Sequence, residues 1–263
     1  MNKQYFLLPL LVLSFLSCSV LFTSCNGEEG KNRLTRTEKE RLRIEDSLAF
    51  KIGILPTSDC DAMRLADSLH IFESLGVDVH FRRYNALSEC RIALRNNLVE
   101  GAVVDSALAD VIMQKDSTAL VLGPVTSLSW KMITSKKSRI VRVEQLVDKI
   151  IATDSHGSSC KLVDITIDSL VQKQKNVYVI QCEDINVRTK MLSTGNIDVA
   201  MLPEPFASSA IKSGGKVLKD FSSQPKGLYA FSKKALNDKR IKEQYELFLK
   251  GLAIAKDSLE RRR

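Results

Sequence analysis

Residues 51–81, KIGILPTSDCDAMRLADSLHIFESLGVDVHF, decide the fold of this chain. Lys51–Leu55 is a short apolar run that Pro56 ends, which is typical of a buried strand. Apolar side chains recur at helical spacing over residues 59–69, and residues 77–84 alternate as a second strand would. A strand, a helix and another strand in this order predict a βαβ unit of a parallel sheet.

The same alternation continues along the chain and then starts again. Helices are predicted over 88–97 and 107–114, with strands over 102–104 and 119–122. The second half adds strands at 149–152, 177–180, 197–202 and 216–218, and helices at 159–172, 186–194 and 206–213. Residues 91–104 can be laid over 188–201 without a gap, matching apolar with apolar at several positions. The repeated order predicts an α/β fold of two similar lobes with mainly parallel sheets.

The segments outside this repeat indicate how the lobes are joined. Residues 127–135 lie between the two halves, and a strand and a long amphipathic helix (242–259) follow the second half. If that helix packs on the first lobe, the chain passes between the lobes twice and forms a two-stranded hinge. We therefore expect the following organisation: lobe 1 from 47–126 and 231–263, lobe 2 from 127–230, and hinge crossings near 127–135 and 222–230.

The N-terminus has the features of a secretory signal peptide. Lys3 supplies a positive charge, residues 6–22 are almost wholly apolar, and a small residue precedes Cys25. This junction resembles the lipobox of bacterial lipoproteins, in which the cysteine becomes the new N-terminus and carries lipid such as palmitate. We expect residues 1–24 to be removed and the charged residues 25–46 to form a tether. One alternative is an uncleaved membrane anchor, although the apolar run is short and interrupted. Another is cleavage before Cys18, although Cys18 lies inside the apolar run.

Composition excludes some partners and leaves the state of the cysteines open. The net charge of +8 comes from basic residues scattered among acidic neighbours, and the chain has one Trp and five Tyr for base stacking. We therefore expect no nucleic-acid partner. Cys60, Cys90, Cys160 and Cys182 permit two disulfides, but buried free thiols are an equal alternative. The chain contains no C-x-x-C pair, and we expect neither a metal nor another cofactor.

At these residues the chain resembles type II periplasmic solute-binding proteins of ABC transporters. The likeness is to the class that binds nitrate, sulfonates or thiamine precursors, and it covers residues 51–258. Besides the opening phrase, it rests on NIDVAMLPEPF (196–206), on the outbound segment 127–135 and on the returning strand 227–232.

The resemblance implies a lipoprotein of the bacterial cell envelope that faces the periplasm or the cell surface. As a monomer, it would bind a small molecule by hinge closure and deliver it to an ABC permease, without being an enzyme. An exported enzyme on the same fold is one alternative. A surface lipoprotein that binds a partner without transport is the other.

Candidate ligand-binding residues follow from the predicted sheets, because ligands of open parallel sheets bind at the carboxyl ends of the strands. The polar loops and the aromatic side chains expected at those ends provide Thr57, Ser58, Asp59, Asp105, Ser106, Ser127, Trp130, Ser155, His156, Gly157, Ser158, Glu204 and Phe206. For the Ser, Thr and Asp residues, simple helix capping is the alternative role.

The charge of these loops suggests a class of ligand. They contain several carboxylates and no Arg or Lys, and a buried unpaired carboxylate is costly. We therefore hypothesise a small polar ligand that contains nitrogen. Two prolines restrict the backbone around Glu204, so its carboxylate either faces this ligand or favours the start of a helix. Trp130 either stacks on the ligand or plugs the hinge.

Overall fold

The computed structural model describes residues 35–117, 119–224 and 226–261. The predicted signal peptide, Cys25 and the first part of the tether lie outside the described residues. The described part of the tether belongs to helix α1 (Arg36–Leu48), and the chain divides into two compact units after Ser47. No helix of the described ranges is long and apolar enough to cross a membrane.

The unit that begins at Leu48 contains the predicted α/β alternation. Its strands are β1 Phe50–Ile54, β2 Val79–Arg83, β3 Gly101–Asp105, β4 Leu120–Val125, β5 Lys131–Thr134, β6 Ile150–Thr153, β7 Tyr178–Gln181, β8 Val199–Leu202, β9 Lys216–Asp220 and β10 Gly227–Ser232. Its helices are α2 Asp61–Ser68, α3 Ile71–Ser74, α4 Leu87–Arg95, α5 Ser106–Lys115, α6 Ser158–Gln172, α7 Ile185–Thr194, α8 Phe206–Lys212 and α9 Lys239–Glu260. Short 3₁₀ turns are described at Ser58–Cys60, Val143–Leu146 and Ala235–Asn237.

The strands form two five-stranded sheets with equivalent topology. The first has the order β2-β1-β3-β10-β4 and the second the order β7-β6-β8-β5-β9. In each sheet the first three strands are parallel, and the fourth strand (β10 or β5) runs antiparallel to both of its neighbours. This confirms the predicted pair of similar α/β lobes.

The first lobe takes its strand β10 from beyond the second lobe, and both connections between the lobes are shorter than the sequence suggested. Lys131–Thr134 already belongs to the second sheet, and Gly227–Ser232 belongs to the first. The segments that join the sheets are therefore 126–130 and 221–226, rather than 127–135 and 222–230. The reason for the difference is burial: every residue of β10 is buried between β3 and β4.

The C-terminal helix packs on the first lobe through aromatic rings. The ring of Phe248 stacks on that of Phe72 at a centroid distance of 5.1 Å and lies 5.5 Å from that of Phe50. Gly251 allows this close approach, because a Cβ there would lie 2.8 Å from the Phe72 ring. Each aromatic pair contributes about 0.5–1.5 kcal/mol beyond the area that it buries.

The four cysteines of the lobes are free thiols in the structure. Cys60 and Cys90 are buried, whereas Cys160 and Cys182 are half-buried. Of the two alternatives that the sequence left open, the structure has the free thiols.

Candidate functional site

The two lobes meet at the carboxyl ends of their parallel strands. Three backbone amides donate hydrogen bonds across this cleft: Ser58 to the Glu204 carbonyl (2.9 Å), Ile185 to the Asn85 carbonyl (3.1 Å) and Ser158 to the Asp105 carboxylate (2.5 Å). Direct bonds of this kind place the lobes in contact, so the structure represents a closed arrangement.

Asp105 is the carboxylate that joins the lobes. It is the last residue of β3 and is fully buried. Its Oδ1 accepts a hydrogen bond from the amide of Leu108 (2.8 Å) and so caps α5, while its Oδ2 accepts from Ser158, the first residue of α6. The first amides of a helix lack partners within the helix and carry a partial positive charge. One carboxylate thus serves two helix N-termini that belong to different lobes.

A second carboxylate lies beside this contact. Asp154 Oδ1 accepts from the amide of Gly157 (2.7 Å), and Asp154 Oδ2 accepts from the hydroxyl of Ser159 (2.5 Å). Both acids approach Gly157 closely, since a Cβ there would lie 2.7 Å from an Asp154 oxygen and 2.8 Å from an Asp105 oxygen. Burial raises the pKa of Asp105 to about 6; the bonds from Ser158 and Leu108 oppose this shift, and the charge of Asp154 adds to it.

Asp59 lies at the base of the cleft with one oxygen available to a donor. Its Oδ2 accepts from the Thr126 hydroxyl at 3.1 Å, whereas its Oδ1 is buried without a hydrogen-bond partner in the described part of the chain. Burial raises the pKa of Asp59, and the hydrogen bond from Thr126 opposes this shift. Thr57 is itself fully buried, and its carbonyl accepts from Arg64 at 2.5 Å.

Arg188 is a buried residue of the second lobe that is absent from the predicted site residues. It lies on α7 and is 1% exposed; its Nη1 donates to the Met201 carbonyl at 2.9 Å, and its Cζ lies 5.7 Å from the centre of the Trp130 ring. Burial lowers the pKa of Arg188, and the charge of Asp154 opposes that shift. One sequence feature could have indicated Arg188: Arg91 and Arg188 are the first residues of the two segments, 91–104 and 188–201, that can be aligned without a gap.

Trp130 lies on the first connecting segment and is 1% exposed. Its ring packs against the guanidinium of Arg188, which belongs to the second lobe. Its Nε1–H and the Nε–H of Arg188 are buried donors without a partner among the described residues. Polar atoms of this kind are candidates to bind a ligand, because a buried unpaired group is costly.

Glu204 is occupied by partners within the second lobe. Its carboxylate lies 3.0 Å from Lys131 Nζ and accepts from the amide of Ser208 at 3.1 Å. Burial raises the pKa of Glu204, but the bonds from Ser208 and Lys131 outweigh burial and hold this pKa below its ordinary value. The Glu204–Pro205 peptide bond is cis. The residue therefore contributes its backbone carbonyl, rather than a free carboxylate, to the cleft.

The other predicted residues lie around these groups. Ser127 and His156 are exposed, Ser106 and Ser155 are half-buried, and Phe206 packs against the core of the second lobe. The amides of both half-buried serines already have acceptors within the protein, at 2.7 and 2.8 Å.

The acids of the cleft are thus less available than their number suggested. Asp105, Asp154 and Asp184 accept from helix N-termini, and Glu204 binds Lys131. Among the buried carboxylate oxygens that the structure describes, Asp59 Oδ1 is the one without a hydrogen-bond partner. The hypothesis of a nitrogen-containing ligand therefore depends on Asp59. Within the described ranges no cluster of three or more His, Cys, Asp or Glu residues could hold a metal ion.

Comparison with solved structures finds the same architecture. The alkanesulfonate-binding protein from Xanthomonas axonopodis pv. citri, bound to MOPS, has a TM-score of 0.67 and 15% identity, covering 82% of this chain and 75% of that one. The periplasmic aliphatic sulphonate binding protein from Escherichia coli has a TM-score of 0.57 and 18% identity, with coverage of 81% and 75%.

An ancestral arginine-binding protein bound to arginine is also similar, with a TM-score of 0.55 and 18% identity, covering 80% of this chain and 97% of that one. No protein-family model and no curated protein matches the sequence. At these identities the likeness concerns the fold.

Proposed function

We propose that this chain, which has the fold of type II periplasmic solute-binding proteins, is a membrane-tethered lipoprotein that captures a small polar molecule for an ABC-type import system. The observation that carries the proposal is the pair of equivalent lobes, whose strand ends face each other and touch through hydrogen bonds from three backbone amides. Two short segments, 126–130 and 221–226, join these lobes. Such a pair can open and close around a ligand by bending at the joining segments.

The ligand would bind where buried polar atoms lack partners. Asp59 Oδ1 would accept from a donor of the ligand, and Trp130 Nε1 would donate to an acceptor. An amine or amidine nitrogen would also compensate the charge of Asp59. A small polar molecule that contains nitrogen meets these requirements. Arg188 lies behind Trp130 and would stabilise the ring that contacts such a ligand.

The tether would make capture and delivery efficient. Lipid attached to Cys25 would hold the protein at the cell envelope, exported and facing the periplasm or the cell surface. The segment to residue 46 would let the lobes reach a permease at a high effective concentration. The features of the N-terminal sequence support this part of the proposal. We propose that a monomer suffices, because each chain carries both lobes.

Uptake profiling tests the import role even though the ligand is unidentified. Cells that lack the protein, cells that regain it and cells that regain the Asp59→Asn variant are grown side by side, and depletion of small molecules from the medium is followed by mass spectrometry. We expect a polar compound whose depletion needs the intact protein and is slower with the variant. Asp184→Asn is the matched control, because Asp184 caps α7 within one lobe.

The same experiment separates the alternatives. If depletion is identical in all strains, the protein is not a transport receptor, and a surface role without transport is favoured. If the purified protein converts the depleted compound into a new product, it is an enzyme. A receptor returns its ligand unchanged.

A further inference from the structure

The first lobe contains a second cavity, far from the cleft. It has a volume of about 530 Å³ and is lined by α4, α5, the start of β4 and the end of β10. Helix α5 begins beside the cleft residue Asp105 and ends at Lys115, which lines this cavity. The cavity therefore lies at the opposite end of the sheet from the cleft. We call it the outer pocket.

The floor of the outer pocket is aliphatic. It is formed by Leu94, Val111, Ile112, Ala119 and Leu120. Leu94 and Leu120 are buried, and the other three are half-buried. Cavities of about 300–1,000 Å³ with mainly apolar walls are typical of small-molecule sites. The floor offers a surface that an alkyl chain of several carbons could cover.

The rim of the outer pocket is strongly basic. Its cationic residues are Arg91, Arg95, Lys115, Lys233 and Lys234, and the acidic residue among its lining is Asp116. Arg95 and Lys115 lie in the last turns of α4 and α5, where the helix dipole favours a cation. Arg91 lies within α4, and the two neighbouring lysines follow β10, so helix ends do not explain them.

Arg91 also carries a polar atom without a partner. Its Nε is buried and makes no hydrogen bond within the described residues. A guanidinium presents its donors in a planar fork that matches a carboxylate. This donor and the rim lysines are placed to bind the head of an anionic ligand.

We propose that the outer pocket binds a free anionic amphiphile, namely a monocarboxylate with an aliphatic tail. The carboxylate would pair with Arg91 and the rim lysines, and the tail would cover the floor between α4 and α5. A bare anion would leave the floor exposed to water, and a neutral alkane would leave the rim charge unused. The concave shape favours a single free molecule over the surface of a bilayer.

Calorimetric titration of the full chain with decanoate tests this proposal. Affinity should rise about fourfold for each additional buried CH₂, so that decanoate binds far more tightly than hexanoate, and acetate does not bind. The double variant Arg91→Gln/Lys234→Gln should lose about tenfold in affinity, because charge pairs near the surface are individually weak. Lys161→Gln/Lys190→Gln is the matched control, since both lysines are exposed and lie on the second lobe.

A variant that fills the cavity gives a second test that does not depend on charge. Ala119→Trp should abolish decanoate binding, and its thermal melting confirms that it folds. Methyl NMR of Leu94 and Ile112 should show shifts on addition of decanoate, which places the tail on the floor.

Four outcomes would overturn the proposal. The first is equal affinity in the rim variant and in its lysine control. The second is equal affinity for hexanoate and decanoate. The third is loss of binding in Asp59→Asn, which would place decanoate in the cleft. The fourth is binding of phosphatidylglycerol vesicles without binding of free decanoate, which would indicate a membrane contact.

Discussion

Lowering the pH from about 7 to about 5 should strengthen the contact between the lobes through Asp105. In the closed structure this carboxyl is fully buried, and its pKa is raised to about 6 from the ordinary 3.8. Opening the cleft would return it to water and to its ordinary pKa. The closed form therefore binds the proton more tightly, so closure is favoured as the pH falls and this benefit is lost as the pH rises through about 6.

The size of the effect follows from the two pKa values. One pKa unit corresponds to about 1.4 kcal/mol, so the full effect of the shift is roughly 3 kcal/mol. Between pH 7 and pH 5 the Asp105 carboxyl becomes protonated in the closed form but stays ionised in the open form. The ratio of closed to open protein should therefore rise about tenfold over this range. Asp105→Asn removes this titration while it keeps the cap of α5, because Asn is a good N-cap residue.

Hydrogen exchange of the amides of Ser58, Ser158 and Ile185 measures closure directly, because all three donate across the cleft. Their protection factors, corrected for the intrinsic effect of pH, should rise together about tenfold on acidification. Asp105→Asn should lose most of this response. A small pH response of the same sign should remain in this variant, because burial also raises the pKa of Asp59.

The matched control for this measurement is Asp184→Asn, in which the wild-type pH response should be retained. Asp184 accepts from two amides at the start of α7 and acts within one lobe. Wild-type protection that stays constant or falls on acidification would contradict this role of Asp105. A full pH response in Asp105→Asn would contradict it equally.

Three further predictions concern the anchor, the cleft and the thiols. Replacing Cys25 with Ser should abolish palmitate labelling and membrane retention, whereas Cys18→Ser should preserve both; the opposite pattern would place lipidation at the earlier cysteine. Gly157→Ala should lower the hydrogen-exchange protection of the cross-cleft amides, because its Cβ would collide with two carboxylates. Its control is Gly76→Ala, which should lower the free energy of unfolding by roughly 1 kcal/mol because φ is positive there, without affecting those amides. Burial raises the pKa of Cys90, so this thiol should react with a maleimide only after unfolding. The half-buried thiols of Cys160 and Cys182 should react in the native protein, and equal rates for the buried and half-buried thiols would contradict the described burial.

Most of the fold could be predicted from the sequence because its signals are local. Buried parallel strands appear as short apolar runs, and the helices between them keep their apolar spacing. The predicted Gly227–Ser232 strand has the observed bounds, and the predicted helix 159–172 differs from α6 by one residue. The lengths of the hinge crossings could not be predicted in this way. Whether Lys131–Thr134 joins a sheet depends on its pairing with β8 and β9, which are distant in sequence.

The chemistry of the cleft was harder to predict, because it depends on pairs of residues that only the fold brings together. Asp105 and the amide of Ser158 are 53 positions apart, and Lys131 and Glu204 are 73 positions apart. The sequence shows several acidic residues in the loops, but it does not indicate which of them accept hydrogen bonds from donors within the protein. Arg188 was missed for the same reason, since its packing against Trp130 follows from the fold.

Native mass spectrometry of the protein, extracted gently from the membrane of its own cells, tests whether a lipid-anchored chain binds a small molecule between its lobes. We predict a chain that begins at a lipid-modified Cys25 and carries a dissociable small molecule. The double variant Asp59→Ala/Trp130→Ala, prepared in the same way, should lose that molecule. Wild-type protein without a bound small molecule, or a variant that retains it, would contradict binding between the lobes.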